Sequence, residues 1–61
     1  MTWGEVLRKI KQAGCKFKAN DKRHDVYYNP KTGAEAEIPR HWTKEAKTGT
    51  VKAIFKKLGI K

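Results

Sequence analysis

The chain has 61 residues, 15 of them Lys or Arg against 6 Asp or Glu, for a net charge of +9 and a pI near 10.0. A chain this short buries only about 60% of the surface it exposes unfolded, so it holds one domain with one compact core and little volume for an internal pocket. A single cysteine, Cys15, rules out an internal disulfide and a cysteine-built zinc site, and no apolar run approaches the roughly 20 residues of a membrane helix.

Thr2-Trp3-Gly4-Glu5 has the form of a capping box, in which the hydroxyl of Thr2 and the carboxylate of Glu5 exchange bonds with each other's amides. Trp3, Val6, Leu7, Ile10 and Ala13 then recur at helical spacing, and Gly14 suits the residue just past a helix end. The first helix is therefore expected over 3–13.

From Cys15 the period changes to two. Cys15, Phe17 and Ala19 alternate with Lys16 and Lys18, which predicts a half-buried strand. Asn20 to Arg23 reads as a charged turn and His24 to Tyr28 as a second strand. Asn29-Pro30-Lys31-Thr32-Gly33 has hairpin-loop chemistry: Pro30 presets φ and Gly33 accepts a positive φ. Ala34, Ala36 and Ile38 alternate with Glu35 and Glu37 to give a third strand, which Pro39 stops.

Arg40 to Lys47 is a basic loop carrying His41 and Trp42. Thr48 is the expected N-cap of a second helix over 49–58, whose Val51, Ile54, Phe55 and Leu58 share one face and which Gly59 closes. The fold class is α+β: an α-β-β-β-α order, with a three-stranded antiparallel meander and both helices on one face.

Strict alternation places His24 with Val26 and Tyr28, and Asp25 with Tyr27. An inward Asp25 would be a costly buried carboxylate, so the His24 face is expected to be the core side, with His24 escaping at the strand end or at a bulge. Histidine changes charge nearest neutral pH of all side chains, and here it stands beside Lys22 and Arg23. That suits proton transfer next to a phosphate, and equally an ordinary solvated turn. The charge excess points to nucleic acid, an anionic membrane or an acidic protein as partner.

In its ordered short motifs the chain resembles the HicA family of small toxins from type II toxin–antitoxin pairs. The motifs are Lys11 to Gly14, Lys16-Phe17-Lys18, His24 to Pro30, Ile38-Pro39-Arg40-His41, and Lys47 to Val51 with Ile54 and Leu58-Gly59-Ile60. The resemblance covers nearly the whole length. It implies a fold like that of double-stranded-RNA-binding domains, an endoribonuclease acting on mRNA in the cytoplasm, and a HicB-like antitoxin that covers the site. His24 matches the family's catalytic histidine. Where many members carry Gly and a small residue just before it, this chain has Lys22-Arg23.

On that footing His24 is the expected catalytic residue. Lys16, Lys18, Lys22, Arg23, Arg40 and His41 are the expected RNA contacts, with His41 also a candidate second acid/base. Tyr27, Tyr28 and Trp42 are candidates for base stacking or for packing. No cofactor is expected, and no metal, because the carboxylates show no ligand spacing along the sequence. The rival reading is an RNA-binding module without chemistry. A DNA-binding domain is weaker, since the second helix spends its best face on the core.

Overall fold

The computed structural model describes residues 1–60. Its elements are α1 (Trp3–Gln12), β1 (Lys16–Asn20), β2 (His24–Tyr28), β3 (Glu35–Pro39) and α2 (Thr48–Leu58), with an antiparallel sheet in the order β1-β2-β3. The α-β-β-β-α meander is the expected architecture. Among the described residues no helix is long and apolar enough to cross a membrane.

Both bonds of the capping box form: the amide of Glu5 donates to Thr2 Oγ1 and the amide of Thr2 to Glu5 Oε1. The loop before α2 supplies the other acceptors that a helix start lacks, since Trp3 N donates to the carbonyl of Lys44 and Gly4 N to that of Trp42, each at 3.0 Å. A Cβ on Gly4 would lie 3.0 Å from that Trp42 oxygen, so a side chain there would press against the loop. Past α1, Gly14 at φ 96° closes a Schellman motif: its amide donates to Lys11 and that of Cys15 to Ile10, and both Ile10 and Cys15 are buried. Gly59, at φ 74°, ends α2 in the same way, with the Ile60 amide donating to Phe55. Thr48 is not the N-cap expected: the helix already includes it, and Lys47 stands at the cap without a side-chain bond.

The core joins Trp3, Val6 and Ile10 of α1, Val51 and Leu58 of α2, and Tyr27, Ala36 and Ile38 of the sheet. Tyr27 pairs with Ala36, and Asp25 with Ile38, so these four share the face beneath the helices. This reverses the expected orientation of β2. His24, Val26 and Tyr28 face away from the core, together with their partners Pro39, Glu37 and Glu35. The inward carboxylate has a partner in Arg40, whose Nε lies 3.7 Å from Asp25 Oδ1, and Asp25 keeps 16% of its side-chain surface exposed at the sheet end.

The half-buried β1 is also corrected, for all five of its residues are exposed. The helices pack chiefly on β3, with Tyr27 of β2 in the same core, and β1 lies beyond them as an edge strand. Phe17, 51% exposed, sets its ring edge-on against buried Tyr27 with centroids 5.7 Å apart. The β1–β2 register shifts between Phe17 and Ala19, a bulge that together with Lys16 and Lys18 blunts this edge.

Buried Asn29 ties the hairpin to the second helix: its Nδ2 donates to the carbonyl of Leu58 at 2.7 Å, and its Oδ1 accepts from Lys31 N at 2.9 Å.

Candidate functional site

The β1–β2 turn is built on Asp21. Its Oδ1 accepts from the amides of Arg23 at 2.8 Å and His24 at 2.7 Å, while its own amide donates to the carbonyl of His24. Arg40 fastens the turn from the other side, with Nη2 donating to the carbonyl of Asp21 at 2.6 Å. No non-glycine residue of the described chain takes a positive φ, so Lys22-Arg23 form the turn without a glycine's freedom. The amides of Arg23 and His24 hold the Asp21 carboxyl below the usual carboxylate range.

His24 opens β2 on the outer face of the sheet, with 36% of its side chain exposed. Its Nδ1 stands 3.7 Å from Asp21 Oδ1. Glu37 lies diagonally across on β3, since Pro39 is the direct partner of His24 and Glu37 is two residues back on the same face. One donor atom each from Asp21, His24 and Glu37 lies within 4.8 Å of the others. Asp21 and Glu37 are residues of the site that sequence spacing missed. The available signal was the core pattern of β3: burial of Ala36 and Ile38 turns Glu37 outward, and the short hairpin sets the register. These donors are of metal-ligating type, but there are only three, and Asp21 Oδ1 is already held by two amides. That makes no ion site by itself.

Lys22 and Arg23, which precede His24, line a depression together with Arg40 and His41. The fold thus brings together four of the six expected RNA contacts. Arg40 is also structural, because it holds Asp25 and the Asp21 carbonyl. Lys16 and Lys18 lie apart on β1. Lys16 pairs with Tyr28, four residues along β2 from His24 and so about 13 Å away, and Lys18 forms an ion pair with Glu35. Of the candidate stacking aromatics, Tyr27 is buried and Trp42 packs against the core, which leaves half-buried Tyr28 on the outer face. Cys15 is buried, and burial pushes its thiol pKa up, away from reactive thiolate.

A three-stranded meander backed by two helices, with its other face open and edged by cations, defines a small α+β domain. A family model described as HicA toxin of bacterial toxin–antitoxin matches residues 3–60, and the chain belongs to that family. Among solved structures it is similar to a chain of the E. coli HicAB toxin–antitoxin complex, with 32% identity, a TM-score of 0.79, and coverage of 93% of this chain and 95% of that one. No curated protein matches.

Proposed function

We propose that this chain is an endoribonuclease toxin that cleaves mRNA in the cytoplasm, with His24 transferring a proton and no metal taking part. The observation that carries this reading is the place of His24. It is on the open sheet face with donor atoms of Asp21 and Glu37 within 4.8 Å, and it directly follows Lys22 and Arg23, which with Arg40 and His41 line a depression. Cleavage by internal attack of a ribose 2′-hydroxyl needs a proton removed there, a proton delivered to the leaving 5′-oxygen, and compensation for the charge on phosphorus. An imidazole performs either transfer, and the cations of the turn supply the charge. Lys16 and Lys18, exposed on β1 and apart from this cluster, are further cations for neighbouring phosphates, Lys18 already paired with Glu35. Family membership supports the RNase reading, and the related solved structure is a toxin–antitoxin complex.

In the same reading a HicB-like antitoxin silences the chain by covering this face. A surface site on a body of net charge +9 is blocked most directly by an acidic segment lying over Lys22, Arg23 and His24.

The test is expression in cells of wild type and His24→Ala, with and without a co-expressed antitoxin. Growth arrest and transcript loss are expected for the wild type alone. Arrest by the folded His24→Ala protein at wild-type strength contradicts the reading and leaves an RNA-binding module.

A further inference from the structure

Internal cleavage of RNA moves two protons, and one histidine holds only one of them at a time. Resting on the ribonuclease reading of His24, we propose that Glu37 is the second catalytic residue, the base that takes the proton of the attacking 2′-hydroxyl while His24 protonates the leaving 5′-oxygen.

Three observations favour Glu37 over its neighbours. Its carboxylate shares the outer face with His24, and the two donor atoms lie within 4.8 Å of each other. The attacking and leaving oxygens sit on opposite sides of one phosphorus, a span that two groups so placed can embrace. Glu37 is also uncommitted: it is exposed and, among the described residues, its side chain makes no hydrogen bond or ion pair. Asp21 is the reverse case. Its Oδ1 holds the amides of Arg23 and His24, which depress its carboxyl and weaken it as a base. His41 lines the depression with Lys22, Arg23 and Arg40 and is not part of the cluster of Asp21, His24 and Glu37.

In the step, the 2′-oxygen forms its bond to phosphorus as its proton passes to the Glu37 carboxylate. The bond from phosphorus to the 5′-oxygen breaks as the imidazolium of His24 gives that oxygen a proton. The products are a 2′,3′-cyclic phosphate and a 5′-hydroxyl, and the two side chains regain their starting protonation by exchange with water. The charged groups around Glu37 are His24 on β2, Asp21 in the turn, Glu35 two residues back on the same face (itself paired with Lys18), and Lys57 of α2, which with Glu35 and Glu37 lines a groove between α2 and β3.

The experiment is the pH dependence of kcat and KM on a short RNA for wild type, Glu37→Gln and His24→Ala, with end groups identified and thermal melting as the folding control. The wild type is expected to show a bell-shaped kcat and a cyclic-phosphate product. Glu37→Gln is expected to lose at least 10-fold in kcat, with KM unchanged, and to lose the acidic limb of the bell. Wild-type kcat and an intact bell in Glu37→Gln, with His24→Ala inactive, overturn the role of Glu37 and leave that of His24 standing. A change in KM alone also overturns it, by making Glu37 a binding residue. Loss of wild-type cleavage in chelator, restored by Mg²⁺, overturns it in favour of a metal held by Asp21, His24 and Glu37. Activity retained by His24→Ala removes the underlying ribonuclease reading itself.

Discussion

Asp21 Oδ1 accepts the backbone amide of His24 at 2.7 Å and lies 3.7 Å from the Nδ1 of the same residue. One carboxylate thus closes the turn and flanks the imidazole that the turn delivers. The amides of Arg23 and His24 lower the Asp21 carboxyl pKa, so the folded state binds a proton there less readily than the unfolded chain does. This contribution to stability is fully present above the ordinary carboxylate pKa of about 3.9 and is lost as pH falls through the lowered folded value. Melting temperatures of wild type and Asp21→Ala should therefore differ by a constant amount from pH 7 down to about 5, and converge below about 4. A gap that persists unchanged to pH 2 contradicts the role of the charged form.

Asn29 makes a different prediction, about the core. Its amide supplies the buried bond from the hairpin to the Leu58 carbonyl. Asn29→Ala removes that donor, and the unpaired carbonyl costs about 1–3 kcal/mol in urea unfolding. A loss below about 0.5 kcal/mol, within the range of ordinary surface substitutions, means water replaces the bond and the tie is dispensable.

The basic residues divide by how far they are already neutralised. Lys16, Lys22 and Arg23 make no ion pair among the described residues, whereas Lys18 is paired with Glu35 and the Arg40 guanidinium is shared with Asp25 and the Asp21 carbonyl. For single-stranded RNA the log–log salt slope is about −0.7 per phosphate neutralised, so three or four contacts give roughly −2 to −3. Measured on the His24→Ala background, Lys22→Gln or Arg23→Gln should each flatten the slope by about 0.7, and Lys18→Gln by less. An affinity indifferent to salt removes the basic face from RNA binding.

Much of the fold was legible because its signals are local. The capping box at Thr2 and Glu5, the glycines after each helix and the hairpin loop at 29–33 each act within a few residues. The errors arose where the answer lies on another strand. In β2 both alternating sets are plausible cores, and an inward Asp25 looked prohibitive because its partner Arg40 is 15 positions away. The buried Ala36 and Ile38 of β3 decide the matter through the register. Phe17 looked half-buried by its period, but period does not reveal that β1 is the edge strand beyond the helices. For the same reason His24 was readable as a candidate while Asp21 and Glu37, its neighbours in space, were not. Asp21 reaches it through a turn, and Glu37 through pairing of β2 with β3. The basic residues themselves were plain in the sequence, but the commitment of Lys18 and Arg40 to acidic partners was not.

The imidazole of His24 is tested most directly by single-turnover cleavage of one purified transcript by wild type and His24→Ala in excess EDTA. The wild type should cleave in the chelator. His24→Ala should melt at the same temperature, bind the RNA with the same affinity, and cleave about 10²- to 10⁴-fold more slowly, the usual loss when general acid–base catalysis is removed. Cleavage by the folded variant at the wild-type rate contradicts the account, as does a wild type that falls silent in EDTA and revives with Mg²⁺.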